Sequence, residues 1–227
     1  YNSYSNTSYI SGYASYNPSE INDVYSRYVA NGTYYTFVDN QRTISWAIAD
    51  NSSNFQNISY YNWPDVNLYQ DLIGGGLEEY QKVTDLNFQY LGHYGSVSAA
   101  QSSNADFIFT IDYLGSGVVA SAFFPENSNK IIKWNAEYFL QDDLFNLPRF
   151  EEFFRYVNIH EVGHTVGLKH PHDGGTTNSP YVTSQNYFDT NWTIMSYHNP
   201  SGNLSADSYY SQTPMYLDVN VLRQVYG

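Results

Sequence analysis

No stretch constrains the fold more than residues 160–170, His-Glu-Val-Gly-His-Thr-Val-Gly-Leu-Lys-His. In an α-helix His160 and His164 lie within about 40° of each other around the axis and about 6 Å apart along it, so both imidazoles can reach one ion. Glu161 projects about 100° from His160, outside the ligand set yet close enough to accept a proton from water held by that ion. His170 is six residues beyond His164; a continued helix would carry it about 240° round and about 9 Å up, away from the ion. The helix must therefore stop. Gly167 permits the positive φ of a C-terminal cap, which turns the chain so that His170 can approach, and Pro171 keeps the helix from resuming.

Three neutral nitrogen ligands with one open position form a catalytic rather than a structural zinc arrangement. Two histidines and a glutamate at this spacing also arise by chance on ordinary helices. Requiring glycine and a third histidine as well lowers that chance roughly 570-fold at the chain's content of 15 Gly and 6 His in 227 residues. His93 and His198 have no histidine at metal spacing and read as surface or supporting residues.

The remaining sequence supplies a sheet and two more helices. Tyr34–Val38, Thr43–Ala49, Asn87–Leu91, Asp106–Ile111, Val118–Phe124 and Ile131–Trp134 are rich in β-branched and aromatic residues between turn formers, and read as strands. From Asp65 to about Val83 apolar residues recur at helical spacing, although Gly74-Gly75-Gly76 should weaken or bend that helix. A helix is expected from Pro148 to the site segment, and a closing one over Pro214–Tyr226 with the proline in its first turn. Residues 1–18 are low in complexity and read as an arm, leaving 19–227 as one domain.

Composition narrows the partners. A formal charge of −13 disfavours nucleic acid and anionic membrane surfaces. No window approaches the eighteen apolar residues of a membrane span. With no cysteine, a metal must rest on His, Asp, Glu or Tyr.

The 160–170 segment resembles the HExxHxxGxxH signature of the metzincin clan, whose other hallmark is a methionine turn. Thr193-Ile194-Met195-Ser196-Tyr197 is similar to that turn, with Thr193 where Ser is usual. His170-Pro171-His172-Asp173, Met195-Ser196-Tyr197 and the end from Pro214 to Gly227 are most similar to the serralysin group, with His172 where Gly is common. The resemblance implies an α+β fold: a metzincin-like catalytic domain with a twisted, roughly five-stranded mixed sheet, a backing helix, an active-site helix and a C-terminal helix. The upper, sheet-bearing part would span about 30–169 and the lower part about 170–227.

By the same resemblance, His160, His164 and His170 hold Zn2+, and Glu161 is the general base. Tyr197 ligates the zinc or stands near it and then hydrogen-bonds the tetrahedral intermediate, while Met195 floors the site. Such a protein is expected to be a secreted, monomeric endopeptidase acting on proteins or peptides. An extended substrate would add to an exposed edge strand, for which Val118–Phe124 is the candidate, and Tyr181, Tyr187 and Phe188 could line a specificity pocket. Calcium is expected only in flanking Gly-Asp repeats, which have no counterpart within 1–227. The competing expectations are a zinc-bearing binding or adhesive module without turnover, a hydrolase of a non-peptide bond, and a metalloenzyme dedicated to one protein partner.

Overall fold

The computed structural model describes residues 42–51, 62–125, 130–140, 149–173, 189–198 and 210–227. The expected arm over 1–18, the strand at Tyr34–Val38 and the pocket aromatics Tyr181, Tyr187 and Phe188 lie outside them. Strand β1 (Thr43–Ala49) is buried on both faces, which suits a central strand with neighbours on each side. It pairs in parallel with β2 (Asn87–Tyr94) and β3 (Phe107–Asp112). Beyond β3 comes β5 (Ile131–Asn135), again parallel, and then β4 (Ala120–Ser121), antiparallel and at the edge. The order β2-β1-β3-β5-β4 is the mixed five-stranded sheet expected.

Parallel neighbours need crossover connections, and helices supply them. Helix α1 (Val66–Gln81) joins β1 to β2, and the short α2 (Val97–Ser102) joins β2 to β3. Alternation along β1 divides them between faces. Ile44, Trp46 and Ile48 enter the main core with Tyr69, Ile73 and Leu77 of α1, while Ala47 and Ala49 pack with Ala100 of α2. A third helix, α3 (Ala136–Leu140), follows β5; then come α4 (Phe150–Thr165) and α5 (Tyr216–Tyr226). Neither α2 nor α3 was expected, because five or six residues are too few to display a helical period. Pro214 lies ahead of the N-cap Met215, so it precedes α5 instead of occupying its first turn.

The glycine run does not interrupt α1, which is one helix from its N-cap Asp65, whose side chain accepts from the Leu68 amide at 3.1 Å. Its last member, Gly76, is explained by α4. A Cβ on Gly76 would stand 2.4 Å from Asn158 Nδ2, so only glycine lets the two helices meet this closely. Asn158 Nδ2 donates to the Ile73 carbonyl at 3.3 Å, and Arg155 Nη2 to that of Gly75 at 3.2 Å. Arg155 also pairs with Glu79, and the Tyr80 hydroxyl donates to the Ile159 carbonyl at 2.6 Å. Helix α1 is thus the backing helix of α4. At the other end, Tyr226 of α5 donates to the Val166 carbonyl at 2.9 Å, while Val221 and Leu222 are buried in the same core.

Gly76→Val should destabilise the fold by about 2 kcal/mol, since a branched side chain would overpack a closed helix contact. A lowered urea midpoint checks this; an unchanged one would mean that α1 and α4 do not approach so closely.

Candidate metal centre

Helix α4 is buried from Tyr156 through Thr165, so its last turns are held from every side. His160 and His164 project one turn apart, their ring centroids 4.9 Å from each other. Gly167 has φ 108°, a conformation that L side chains rarely adopt. Around it the Gly167 amide donates to the His164 carbonyl at 2.9 Å and the Leu168 amide to the Gly163 carbonyl at 2.8 Å, a Schellman closure of the helix. The reversed chain delivers His170, whose Nε2 lies 3.3 Å from that of His160 and 3.0 Å from that of His164.

The opposite ring nitrogens fix the tautomers. His160 Nδ1 donates to the Ile194 carbonyl at 2.8 Å and His164 Nδ1 to the Leu168 carbonyl at 2.8 Å. A carbonyl only accepts, so these rings carry their proton on Nδ1 and present Nε2 bare. Burial first, then the neighbouring histidines, hold His160 well below the usual imidazole range, and burial takes His164 down to about 3. His170 Nδ1 faces Asp173 Oδ1 at 3.3 Å, and the His170 amide donates to Asp173 Oδ2 at 3.1 Å. Bare lone pairs aimed at one another cannot hydrogen-bond, so a cation is what the trio fits. Zinc at about 2.0–2.1 Å from each tetrahedral ligand would place nitrogens about 3.3–3.4 Å apart, close to the spacing found.

Met195 is fully buried beneath the helix, and a Cβ on Gly163 would come 2.4 Å from its sulfur. The turn that carries it is held by Asp218, a fully buried carboxylate from the first turn of α5. Asp218 accepts from Thr193 Oγ1 at 2.7 Å, the Ile194 amide at 2.8 Å and the Met215 amide at 2.8 Å. Thr193 Oγ1 accepts in turn from the Met195 amide at 2.9 Å, so threonine's hydroxyl bonds as a serine hydroxyl could. Tyr156 donates to the Ser196 carbonyl at 2.9 Å. Asp218 escaped sequence reasoning. Its place three residues after the N-cap signals a helix start, but not its reach to Thr193 and Ile194.

Glu161 is 6 % exposed, and burial pushes its carboxyl up to about 8; a cation on the three imidazoles would draw it back down. Tyr197 is 55 % exposed, and its ring stacks 5.3 Å from that of His160 and lies 4.5 Å from that of His170. Partial burial, then Glu161 and Asp173, push its phenol up to about 12, so it stays protonated and can donate. His172 stacks on His170 at 5.1 Å and meets His198 edge-on at 5.2 Å. His198 is therefore not isolated, since chain folding supplies a neighbour that sequence spacing conceals. His93, on β2, lies 3.0 Å from Asp50. Phe124, just past the edge strand, packs edge-on against His164 at 5.4 Å.

Two measurements test this arrangement. Asp218→Asn keeps the shape but leaves donors unmatched, so it should cost about 2–3 kcal/mol in urea unfolding and weaken zinc binding at least about tenfold through the Ile194 carbonyl. The second concerns the metal-free protein. The depressed His160 and His164 give stability that is present above about pH 6.5 and lost as pH falls toward their folded values. Glu161, raised to about 8, gives stability that is present below about pH 4.5 and lost as pH rises through 8. These three groups place the maximum near about pH 6.5–7, and saturating zinc should remove the alkaline decline; a metal-free profile flat from pH 5 to 8.5 would contradict the burial of these groups.

The matrixin family model (peptidase family M10) matches residues 40–193, about two thirds of the chain. A serralysin of Photorhabdus laumondii subsp. laumondii is 29% identical over 161 residues, covering 66% of this chain and 31% of its own length. A serralysin of Photorhabdus sp. strain Az29 is 35% identical over 80 residues, 32% of this chain and 16% of the relative. The chain thus spans about a third or less of the curated relatives it matches. Among solved structures, a chain of the GM1-bound form of the ECX AB5 holotoxin is similar in fold, with a TM-score of 0.51, 16% identity and 92% of each chain covered. A family match that runs from the approach to β1 as far as the methionine turn settles the assignment: this chain belongs to the matrixin family and is a metzincin that resembles serralysin.

Proposed function

We propose that the chain is the catalytic domain, over 19–227, of a secreted zinc-dependent endopeptidase that hydrolyses peptide bonds in proteins. The observation that carries this reading is the convergence of three imidazole Nε2 atoms, with the Glu161 carboxyl on the helix that bears His160 and His164. His160, His164 and His170 would hold the ion. Zinc, when bound there, supplies a Lewis acid that makes water more acidic and polarises a carbonyl. Glu161 takes the proton from the attacking water and passes it to the leaving amine. Its burial keeps bulk water from competing for that proton. Tyr197, protonated and exposed beside His160 and His170, donates to the oxyanion as it forms. Met195 and Gly167 act through the ligands, one as a packed floor and the other as the turn that returns His170. A substrate in extended form would pair with β4, at the sheet edge that leads to Phe124 and His164.

Purified protein should cleave denatured casein, and a zinc chelator should stop it. Glu161→Ala should keep one zinc per chain while turnover falls by about 10²–10⁴ or more. Full activity in that variant would remove Glu161 from the chemistry. Stoichiometric zinc without chelator-sensitive cleavage would favour the binding module or an enzyme devoted to a single partner.

A further inference from the structure

At the end of β5 the side chain of Asn135 is fully buried, and it takes no part in the proposed chemistry. It is nevertheless fully engaged. Nδ2 donates to the Gly115 carbonyl at 2.8 Å and to the Val118 carbonyl at 2.6 Å. Oδ1 accepts from the Leu114 amide at 3.3 Å and the Glu137 amide at 3.2 Å. The backbone amide of Asn135 donates to the Val119 carbonyl at 2.9 Å. One side chain thus serves three backbone groups of the connection between β3 and β4, in a stretch with no ladder of its own.

Elsewhere in that connection Tyr113 and Val119 pack on the main core, and Ser116 Oγ donates to Glu137 Oε1 at 3.5 Å. Gly115 and Gly117 take φ of 87° and 85°, and a Cβ on either would meet nothing within 4 Å, so no side-chain packing there supplements the hydrogen bonds from Asn135. Strand β4 follows at once, joined to the sheet by only Ala120↔Trp134 and Ser121↔Lys133. Val118, whose carbonyl Asn135 holds, is 40 % exposed, and the same segment leads on to Phe124 against His164. A two-residue edge must be presented at a fixed height and tilt if an extended peptide is to pair with it, because misplaced donors and acceptors lose their bonds together.

We infer that Asn135 is a positioning residue for substrate, which sets the backbone of 114–121 so that β4, the edge strand among the described residues, can receive an extended peptide across the metal centre. The inference rests on the endopeptidase reading. It assigns Asn135 to the recognition of substrate length, with Glu161 and the three histidines left to the chemistry. Asn135→Asp keeps the size but turns a carboxylate oxygen toward the two carbonyls that Nδ2 now serves.

The test compares an eight-residue peptide, long enough to lie along β4, with a short peptide that reaches only the metal centre. In Asn135→Asp, KM for the long peptide should rise about tenfold or more, the order expected from losing one or two buried hydrogen bonds. Its kcat, the KM of the short peptide and the zinc content should stay within about twofold, because no ligand or base has moved. Asn135→Gln, which keeps the donor, should recover part of the loss. Should Asn135→Asp fail to fold, Gly117→Ala strains the same connection from its solvent side and should raise the long-peptide KM in the same selective way. Equal losses for both peptides, or falling zinc content, would make Asn135 merely structural and overturn the inference. An unchanged long-peptide KM in a folded variant overturns it as well. Absence of turnover in the unsubstituted chain would instead defeat the endopeptidase reading, and this inference with it.

Discussion

Three imidazole nitrogens, each with its lone pair directed at the other two, make the central constraint of this molecule. Left alone they repel; bridged by a cation they become the strongest local interaction the chain can form. What keeps them in place without the cation is the far side of each ring. The carbonyls of Ile194 and Leu168 and the carboxylate of Asp173 fix the rings from two segments, the methionine turn and the stretch that follows the ligand helix. Any movement of those segments is transmitted to the metal ligands, so the surrounding architecture serves to hold an electrostatically unfavourable cluster ready.

Two packing devices provide that rigidity. On one side, Gly76 of α1 lets that helix meet Asn158 and Ile159 of α4, with Tyr80 hydrogen-bonded to the α4 backbone. On the other, Asp218 ties the methionine turn to the first turn of α5 through three hydrogen bonds around one buried carboxylate. Gly163 lies where both devices meet, its missing side chain replaced by the sulfur of Met195 and bordered by the Tyr80 hydroxyl. The ligand helix is therefore clamped above and below at the turn that separates His160 from His164.

How much of this could be read from the sequence depended on how local the cause was. The geometry of 160–170 was legible because helical spacing and one glycine act over a few residues, and the structure places His170 where that turn sends it. Helix α1 followed from periodicity, and the strands within the described residues from β-branched and aromatic content between turn formers. The strand order did not, because pairing joins distant stretches. Val118–Phe124 read as a full strand, yet only Ala120 and Ser121 pair; the residues before them are held by the side chain of Asn135 instead of by a ladder. The glycine run of α1 was visible as an anomaly, but the reason for Gly76 sits about eighty residues later in Asn158. Asp218, His172 against His198, and Phe124 against His164 are likewise contacts that exist only once the chain has closed.

The brevity of β4 has its own consequence. Long unpaired edges invite one molecule to zip onto another, and short ones resist it. With two residues on offer, this border is a poor template for self-assembly. On the endopeptidase reading, so narrow a ledge would suit slack, unfolded stretches of polypeptide better than folded surfaces, since only a loosened chain can lie flat across it.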